Sequence, residues 1–167
     1  MKRTILIALI FVMLFMCSCK SDFSFRDNHF GDSIEQVQKT EGESGEMVDG
    51  EDAQYLHFYE KEFLGSKGHI CYVFQEDKLQ HIMFDSNPYD NIDTTEQYNR
   101  IKGEFAKYGS PYEESKEDRG HKALWKEEGY GIVLVVTQGG FIAVLSSDPN
   151  KSEKFYNTLN FTDLTKD

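Results

Sequence analysis

The pattern of apolar and polar positions predicts two successive blocks, each with one helix followed by strands. In the first block, Ser33 and Gln36 match a capping box and Gly42 matches a C-cap, so a short helix is predicted between them. Residues 43–53 are acidic and glycine-rich and predict a loop. Three runs rich in aromatic and β-branched residues then predict strands at 55–60, 69–75 and 79–85.

The second block repeats this order. Residues 93–96 match another capping box, and Tyr98, Ile101 and Phe105 recur at helical spacing before Gly109 ends the helix. A charged loop follows to about residue 120. The next runs predict strands at 122–127, 131–137 and 141–147. Matching features of the two blocks lie 62 to 67 residues apart, which indicates a duplicated unit.

Together these elements predict an α+β fold. Two tandem helix-plus-three-strand repeats, about 30–88 and 93–148, would form one antiparallel sheet with the helices on one face. A short C-terminal helix is predicted at about 150–159, behind Asp148 and Pro149. Residues 29–167 are therefore expected to form a single domain.

The two-residue period of a strand assigns side chains to faces of the sheet. A hairpin that turns at residues 76–77 pairs Tyr72 with His81, so His81 is expected on the opposite face from His69 and Cys71. In the second block the strands at 131–137 and 141–147 are apolar on both faces. Such strands are either covered on both sides or show one apolar face to a partner, and here the C-terminal helix is the alternative cover.

Aromatic residues alternate along the first strand of each block. If Leu56 and Phe58 pack under the helices, the open side of the sheet carries four side chains that are candidates for contact with a partner: Tyr55, His57, Tyr59 and Trp125. Rings with a polar tip are favoured at protein-binding surfaces. The alternative interpretation is that these residues occur here only because aromatic residues favour strands.

The N-terminus has the features of an export signal. Lys2 and Arg3 precede an apolar run at 5–16. This run is shorter than a typical transmembrane helix but has the length of the apolar region of a secretory signal peptide. The sequence Cys17-Ser18-Cys19 that follows resembles the end of a bacterial lipoprotein signal. The resemblance implies a signal peptide at 1–18, a lipidated Cys19 that carries palmitate-type acyl chains, and a tether to residue 28.

Two alternatives to this N-terminal assignment stay open. Cys17 competes with Cys19 for the lipid, and an uncleaved signal anchor would keep the whole segment. In either lipidated case the protein is held at the extracytoplasmic face of a cell membrane, as part of the cell envelope. In a cell with two membranes, the outer one is an equal candidate.

The net charge limits the classes of binding partner, and the cysteine content excludes one source of stability. The chain has 18 basic and 29 acidic residues, and the predicted signal holds two of the basic ones, so the mature protein carries a net charge of −13. Nucleic acid and anionic lipid headgroups are therefore repelled, and no nucleic-acid partner is expected. Cys71 is the one cysteine of the predicted domain, which excludes an internal disulfide.

No motif for catalysis is found. His57, His69 and His81 are spaced by twelve residues, but the predicted register separates His81 from His69, which argues against a metal site. Nucleophile elbows, phosphate loops and dinucleotide fingerprints are absent, and Cys71 lies in mid-strand. We therefore expect no enzyme, no catalytic residue, no metal and no cofactor.

Several short motifs resemble those of a known group of proteins. They comprise Phe25-Arg26, Phe30-Gly31-Asp32-Ser33, Glu41-Gly42, Tyr72 with Phe74 and Leu79, and Tyr108-Gly109-Ser110-Pro111. The pattern resembles small bacterial lipoproteins and is similar to the two-repeat architecture of β-lactamase inhibitory protein and of small outer-membrane-assembly lipoproteins. This resemblance implies a protein-binding or assembly role for a concave sheet, and it transfers no functional residue.

The sequence therefore predicts a membrane-anchored lipoprotein with a non-catalytic protein-binding domain. The alternative is a lipoprotein that binds a small ligand or a metal ion in a pocket between the sheet and the first helix.

Overall fold

The structure is a computed structural model that describes residues 23–87, 93–159 and 161. The predicted signal peptide and both candidate lipidation sites, Cys17 and Cys19, lie outside these residues. Within the described residues the fold is α+β, with an eight-stranded antiparallel sheet, a two-stranded sheet and three α-helices. None of these helices has the length and apolarity needed to cross a bilayer.

The elements follow the predicted order, with additions. They are β1 Ser24–Phe25, β2 Asn28–His29, α1 Ile34–Glu41, β3 Glu46–Asp49, β4 Gln54–Phe63, β5 Ser66–Gln75, β6 Lys78–Ser86, α2 Thr94–Glu104, β7 Glu113–Glu117, β8 Gly120–Glu127, β9 Tyr130–Thr137, β10 Gly140–Ser146 and α3 Pro149–Thr158. Strands β1 and β2 form the small sheet. The large sheet has the order β3-β4-β5-β6-β10-β9-β8-β7.

Local capping interactions set the ends of the first helix. The Ser33 hydroxyl accepts a hydrogen bond from the backbone N–H of Gln36 at 3.3 Å, and the Gln36 side chain accepts one from the N–H of Ser33 at 2.8 Å. Gly42 adopts a left-handed conformation at the C-cap, with φ of 75°. The predicted capping box is therefore confirmed. Helix α2 begins at Asp93, whose carboxylate accepts from the N–H of Glu96 at 2.9 Å.

A bulge changes the predicted face of β6. The hairpin turn at Glu76 and Asp77 is confirmed, since both residues have positive φ and Phe74 pairs with Leu79. Beyond that pair the register shifts, and Val73 pairs with His81. One extra residue in a strand reverses the face of every later side chain. The prediction that His81 lies opposite His69 was therefore wrong, and both are on one face.

Each half of the large sheet has four strands where three were predicted. The additional strands are β3 and β7, which form the two edges of the sheet in regions predicted as loops. Both are short and rich in charge, and the side chains of β3 are all exposed. An edge strand pairs on one side only and needs no buried face, so hydrophobic periodicity does not reveal it.

Helices α1 and α2 pack on the first face of the sheet. The core there includes Val37 of α1, Ile101 of α2, and Leu56 and Phe58 of β4. Trp125 also belongs to this core, where it is 0% exposed and packs against Phe105. The placement of Trp125 on the open side was therefore wrong.

The error arose because β8 was aligned with β4 one residue out of register. Ala123 and Trp125 occupy the helix-covered face, while Leu124 faces the other side of the sheet. Trp125 thus takes the place in β8 that the core residue Phe58 takes in β4. Its indole N–H donates to the carbonyl of Gly109 at 3.1 Å, which satisfies the polar atom of the buried ring.

Helix α3 covers the second face, but over one half of the sheet only. It packs against β8, β9 and β10, where Tyr156 lies in a separate core with Leu124, Val133 and Val135. Strand β9 pairs with β10, with Val133 opposite Val144 and Val135 opposite Ile142. Both faces of these strands are covered, which explains why they are apolar on both sides.

The N-terminal segment is folded from its first described residue. Phe23 and Phe25 are buried, and the Tyr108 hydroxyl donates to the carbonyl of Ser24 at 3.2 Å. The domain therefore includes residues 23–28, which the sequence assigned to a tether.

Candidate functional site

The second face of strands β3 to β6 is not covered by a helix in the part of the chain that the structure describes. We call it the open half-face. Register and burial place eleven side chains on it: Glu46, Val48, Tyr55, His57, Tyr59, His69, Cys71, Val73, His81, Met83 and Asp85. Helix α3 lies beside it on the second half of the sheet, and its Lys151 is close enough to His81 to lower the pKa of that imidazole, after the larger effect of burial.

Four rings at the centre of the open half-face are nearly parallel. Tyr55, His57 and Tyr59 follow one another along β4, with successive centroids 6.4 Å apart and interplanar angles of 22° and 12°. His69 of β5 lies 4.8 Å from Tyr59 and 5.0 Å from His57, at angles of 14° and 9°. The structure thus brings together three of the four predicted partner-contact residues. We call Tyr55, His57, Tyr59 and His69 the ring cluster.

The two histidines of the ring cluster contact each other directly. Nδ1 of His57 and Nε2 of His69 are 2.8 Å apart, so one nitrogen carries the hydrogen and the other accepts it. Burial lowers the pKa of His69, the neighbouring His57 lowers it further, and Asp85 partly opposes this. The lowered pKa therefore favours the neutral form of the His69 imidazole.

Two carboxylates flank the ring cluster. Glu46 lies opposite His57 across β3 and β4, and Asp85 lies opposite His69 across β5 and β6. Partial desolvation and then the Glu46 carboxylate raise the pKa of the Tyr59 hydroxyl. Partial desolvation also raises the pKa of Asp85, against the effect of His69. Among the described residues, neither carboxylate has a lysine or arginine nitrogen within 4.0 Å.

Apolar side chains surround this polar and aromatic centre. Met83 is 36% exposed and Val48 is 45% exposed, whereas Cys71 is buried beneath the rings. Burial raises the pKa of the Cys71 thiol to about 11, so the thiol is protonated at neutral pH and acts as an apolar contact.

Histidines share this face without forming a metal centre. His57, His69 and His81 are all on the open half-face, but the described residues hold no group of three or more His, Cys, Asp or Glu side chains that could hold a metal ion. The contact between His57 and His69 instead occupies one nitrogen of each ring.

The alternative predicted from the sequence was a ligand pocket between the sheet and the first helix. Two cavities were found near the sheet, and both lie elsewhere. One cavity of about 150 Å³ lies between α2 and the hairpin formed by β1 and β2, which we call the N-terminal hairpin, and its lining includes Arg26, Phe63 and Phe105. Another, of about 170 Å³, lies beside Asp85 at the border of the open half-face, with Val135 and Ile142 in its wall. Neither has a residue of α1 in its lining.

A second polar cluster lies away from the open half-face. Glu41, at the end of α1, has a side chain that is 1% exposed and forms a two-point ion pair with Arg26, with N–O distances of 3.0 and 3.1 Å. The Tyr72 hydroxyl donates to the same carboxylate at 2.5 Å, and Lys61 lies 3.6 Å away. Burial alone would raise the pKa of Glu41, but these partners hold it below its usual value. The cluster joins the N-terminal hairpin to α1 and β5.

Sequence reasoning missed several residues of the open half-face. Glu46 and Val48 lie in the segment predicted as a loop. The register predicted for β6 lacked the bulge, so it implied the wrong face for Met83 and Asp85 as it did for His81. His69 was placed on the same face as Cys71, which is confirmed, but that face was not recognised as the one that carries the aromatic residues of β4. The usable signal was the spacing of twelve residues between His57 and His69, which here reflects their positions on adjacent strands.

Comparison with known proteins gives no match: no protein-family model, no curated protein and no solved structure matches this chain.

Proposed function

We propose that this protein is a membrane-anchored, extracytoplasmic lipoprotein whose α+β domain binds another protein through the open half-face. The observation that carries the proposal is the ring cluster, which lies on a sheet face that no helix covers in the described residues. The adjacent half of the same face is covered by α3. The domain therefore has one face that differs between its two halves, and the uncovered half presents the aromatic side chains.

The composition of the open half-face suits a protein partner. Tyrosine rings contribute large contact areas and lose little side-chain entropy on binding, and their hydroxyls can still form hydrogen bonds. The rings of Tyr55, His57 and Tyr59 are already ordered by contact with one another and with His69. A surface that is ordered before binding loses less conformational entropy on association.

The symmetry of the sheet supports a duplicated origin, which we include in the proposal. Strands β3 to β6 and strands β7 to β10 have the same order from edge to centre, and each set follows a helix on the first face. The proposed unit is one helix with four strands, where the sequence predicted three. The resemblance to two-repeat protein-binding lipoproteins stays a prediction.

Crosslinking tests the binding proposal. We expect that a partner crosslinked to the full-length protein in intact membranes is lost in Tyr59→Ala and kept in Tyr112→Ala. These two tyrosines are 58% and 65% exposed, and only Tyr59 is on the open half-face. Capture of the same partner by both variants would contradict the proposed site.

The lipid anchor is tested separately, at Cys19. We expect Cys19→Ala to accumulate as an unprocessed precursor without a lipid, because the modified sulfur is absent. Metabolic labelling with a palmitate analogue and mass spectrometry of the N-terminus measure this. Normal acylation of Cys19→Ala combined with loss in Cys17→Ala would move the site to Cys17. A wild-type protein that carries no lipid would reject the anchor.

A further inference from the structure

We propose that the open half-face recognises an arginine side chain of its protein partner. The inference rests on the proposed function, since it names the chemistry of the partner that the same face binds. Three observations carry it: the parallel rings, the two flanking carboxylates, and the net negative charge of the chain.

The first observation is the orientation of the ring cluster. Because the interplanar angles between neighbouring rings are 9° to 22°, the ring faces point in nearly the same direction. A planar group that stacks on the exposed ring, Tyr59, is therefore aligned with the other three. The guanidinium of arginine is planar, weakly hydrated and stacks well on aromatic faces, whereas the ammonium of lysine is compact and strongly hydrated.

The second observation is that two carboxylates without a cationic partner among the described residues lie beside the rings, and that Glu46 also accepts a hydrogen bond from the Tyr59 hydroxyl. Glu46 and Asp85 lie opposite His57 and His69, and neither forms an ion pair with a lysine or arginine among the described residues. A guanidinium has five N–H donors and pairs with a carboxylate through two of them. The lysines of β5 and β6 are at the strand ends, outside the open half-face, where Lys67 is opposite Glu62 and Lys78 is opposite Gln75.

The third observation is charge. The chain has a net charge of −11, which disfavours a second copy of itself on this face and favours a cationic partner. Charge alone would attract lysine and arginine equally. The ring cluster is the feature that distinguishes them, because stacking requires a planar cation.

The test is an NMR titration of the full-length protein, purified in detergent, with three acetylated peptides. The peptides are identical except for one central residue, which is arginine, lysine or citrulline. Citrulline keeps the planar shape and removes the charge. We expect the arginine peptide to bind about tenfold more tightly than the lysine peptide, and to shift the resonances of Tyr59 and His69. The citrulline peptide should bind more weakly than both.

Variants locate the preference. Tyr59→Ala and Glu46→Gln should reduce the arginine-to-lysine ratio to about one. Tyr112→Ala and Glu113→Gln, which change the same residue types on the other half of the molecule, should leave the ratio unchanged. Far-ultraviolet circular dichroism checks that each variant is folded.

Several outcomes would overturn the inference. These are equal affinity for the arginine and lysine peptides, a preference that survives Tyr59→Ala, and no shift of the ring resonances at millimolar arginine peptide. Self-association that Tyr59→Ala removes, without an arginine preference, would assign the face to a second copy.

The crosslinking experiment separates this failure from failure of the proposed function. If Tyr59→Ala loses its crosslinked partner while the peptides bind alike, the face binds a protein but does not select arginine. If the partner is also kept, both proposals fail.

Discussion

Trp125 shows how one residue position separates a core side chain from a surface one. Its ring packs against Phe105, and its N–H donates to the carbonyl of Gly109, so both its apolar and its polar atoms are satisfied. Leu124, its neighbour in sequence, lies on the opposite face under α3. Sequence alone could identify the alternation in β8, but it could not decide which residue faced α2, because both candidates are apolar.

This placement predicts a large loss of stability for Trp125→Ala. Truncation of a fully buried tryptophan leaves a cavity and removes the hydrogen bond to Gly109, so we expect the free energy of unfolding to fall by about 3–5 kcal/mol. Urea denaturation measures the change. The exposed control, Tyr112→Ala, should change it by less than about 0.5 kcal/mol. A similarly small effect of Trp125→Ala would show that the indole is not in the core.

At the scale of elements, features that depend on neighbouring residues could be predicted from the sequence, whereas features that depend on contacts between distant segments could not. The cap at Ser33, the C-cap at Gly42 and the turn at residues 76–77 depend on nearby residues, and the sequence predicted them. The bulge in β6 depends on a partner outside its hairpin: the carbonyl of its extra residue, Gln80, accepts a hydrogen bond from the N–H of Ser147 at 2.9 Å. No local pattern contains that information.

The ion pair that joins the N-terminal hairpin to α1 gives a prediction at this scale. Glu41→Gln keeps the size of the side chain but removes the charge that Arg26 and Lys61 contact. Hydrogen bonds to charged groups contribute about 1.5–3 kcal/mol each, so we expect a loss of stability of about that size. Glu43→Gln, which changes an exposed partner of Lys61, should have a much smaller effect in the same urea experiment. Equal effects of the two substitutions would show that burial of Glu41 does not matter.

At the scale of the whole molecule, the sequence predicted the α+β class and the order of the elements but not the asymmetry between the halves. The reason is that each block was interpreted as a separate unit. The covered and uncovered parts of the second face depend on where α3 docks, and α3 follows both blocks. The four residues proposed from sequence for the open side were chosen by their alternation. Tyr55, His57 and Tyr59 lie on the open half-face because Leu56 and Phe58 of β4 face the helices, as assumed. In β8 it is Trp125 that faces the helices, so this residue lies in the core instead.

Three histidines make the stability of the whole domain dependent on pH. The pKa values of His69, His81 and His121 are lowered, in each case first by burial. In the unfolded chain a histidine titrates near pH 6.5. Between that pH and the lower folded values, the unfolded state binds more protons than the folded state, so stability falls as the pH decreases.

We therefore expect the free energy of unfolding, measured with urea, to be constant above about pH 7 and to decrease as the pH is lowered below about 6.5. Below pH 4.5 a further loss should begin, because the pKa of Glu41 is lowered in the folded state and its unfolded value is 4.5. His81, which faces Lys151 and Asp148 of the α3 region, supplies the sharpest test. His81→Gln should reduce the slope between pH 6.5 and 5.5, since one differentially protonated group is removed, whereas Gln138→Asn in an exposed turn should not. A slope that is unchanged in His81→Gln would show that this imidazole titrates alike in both states, and that its burial against the sheet does not keep it neutral.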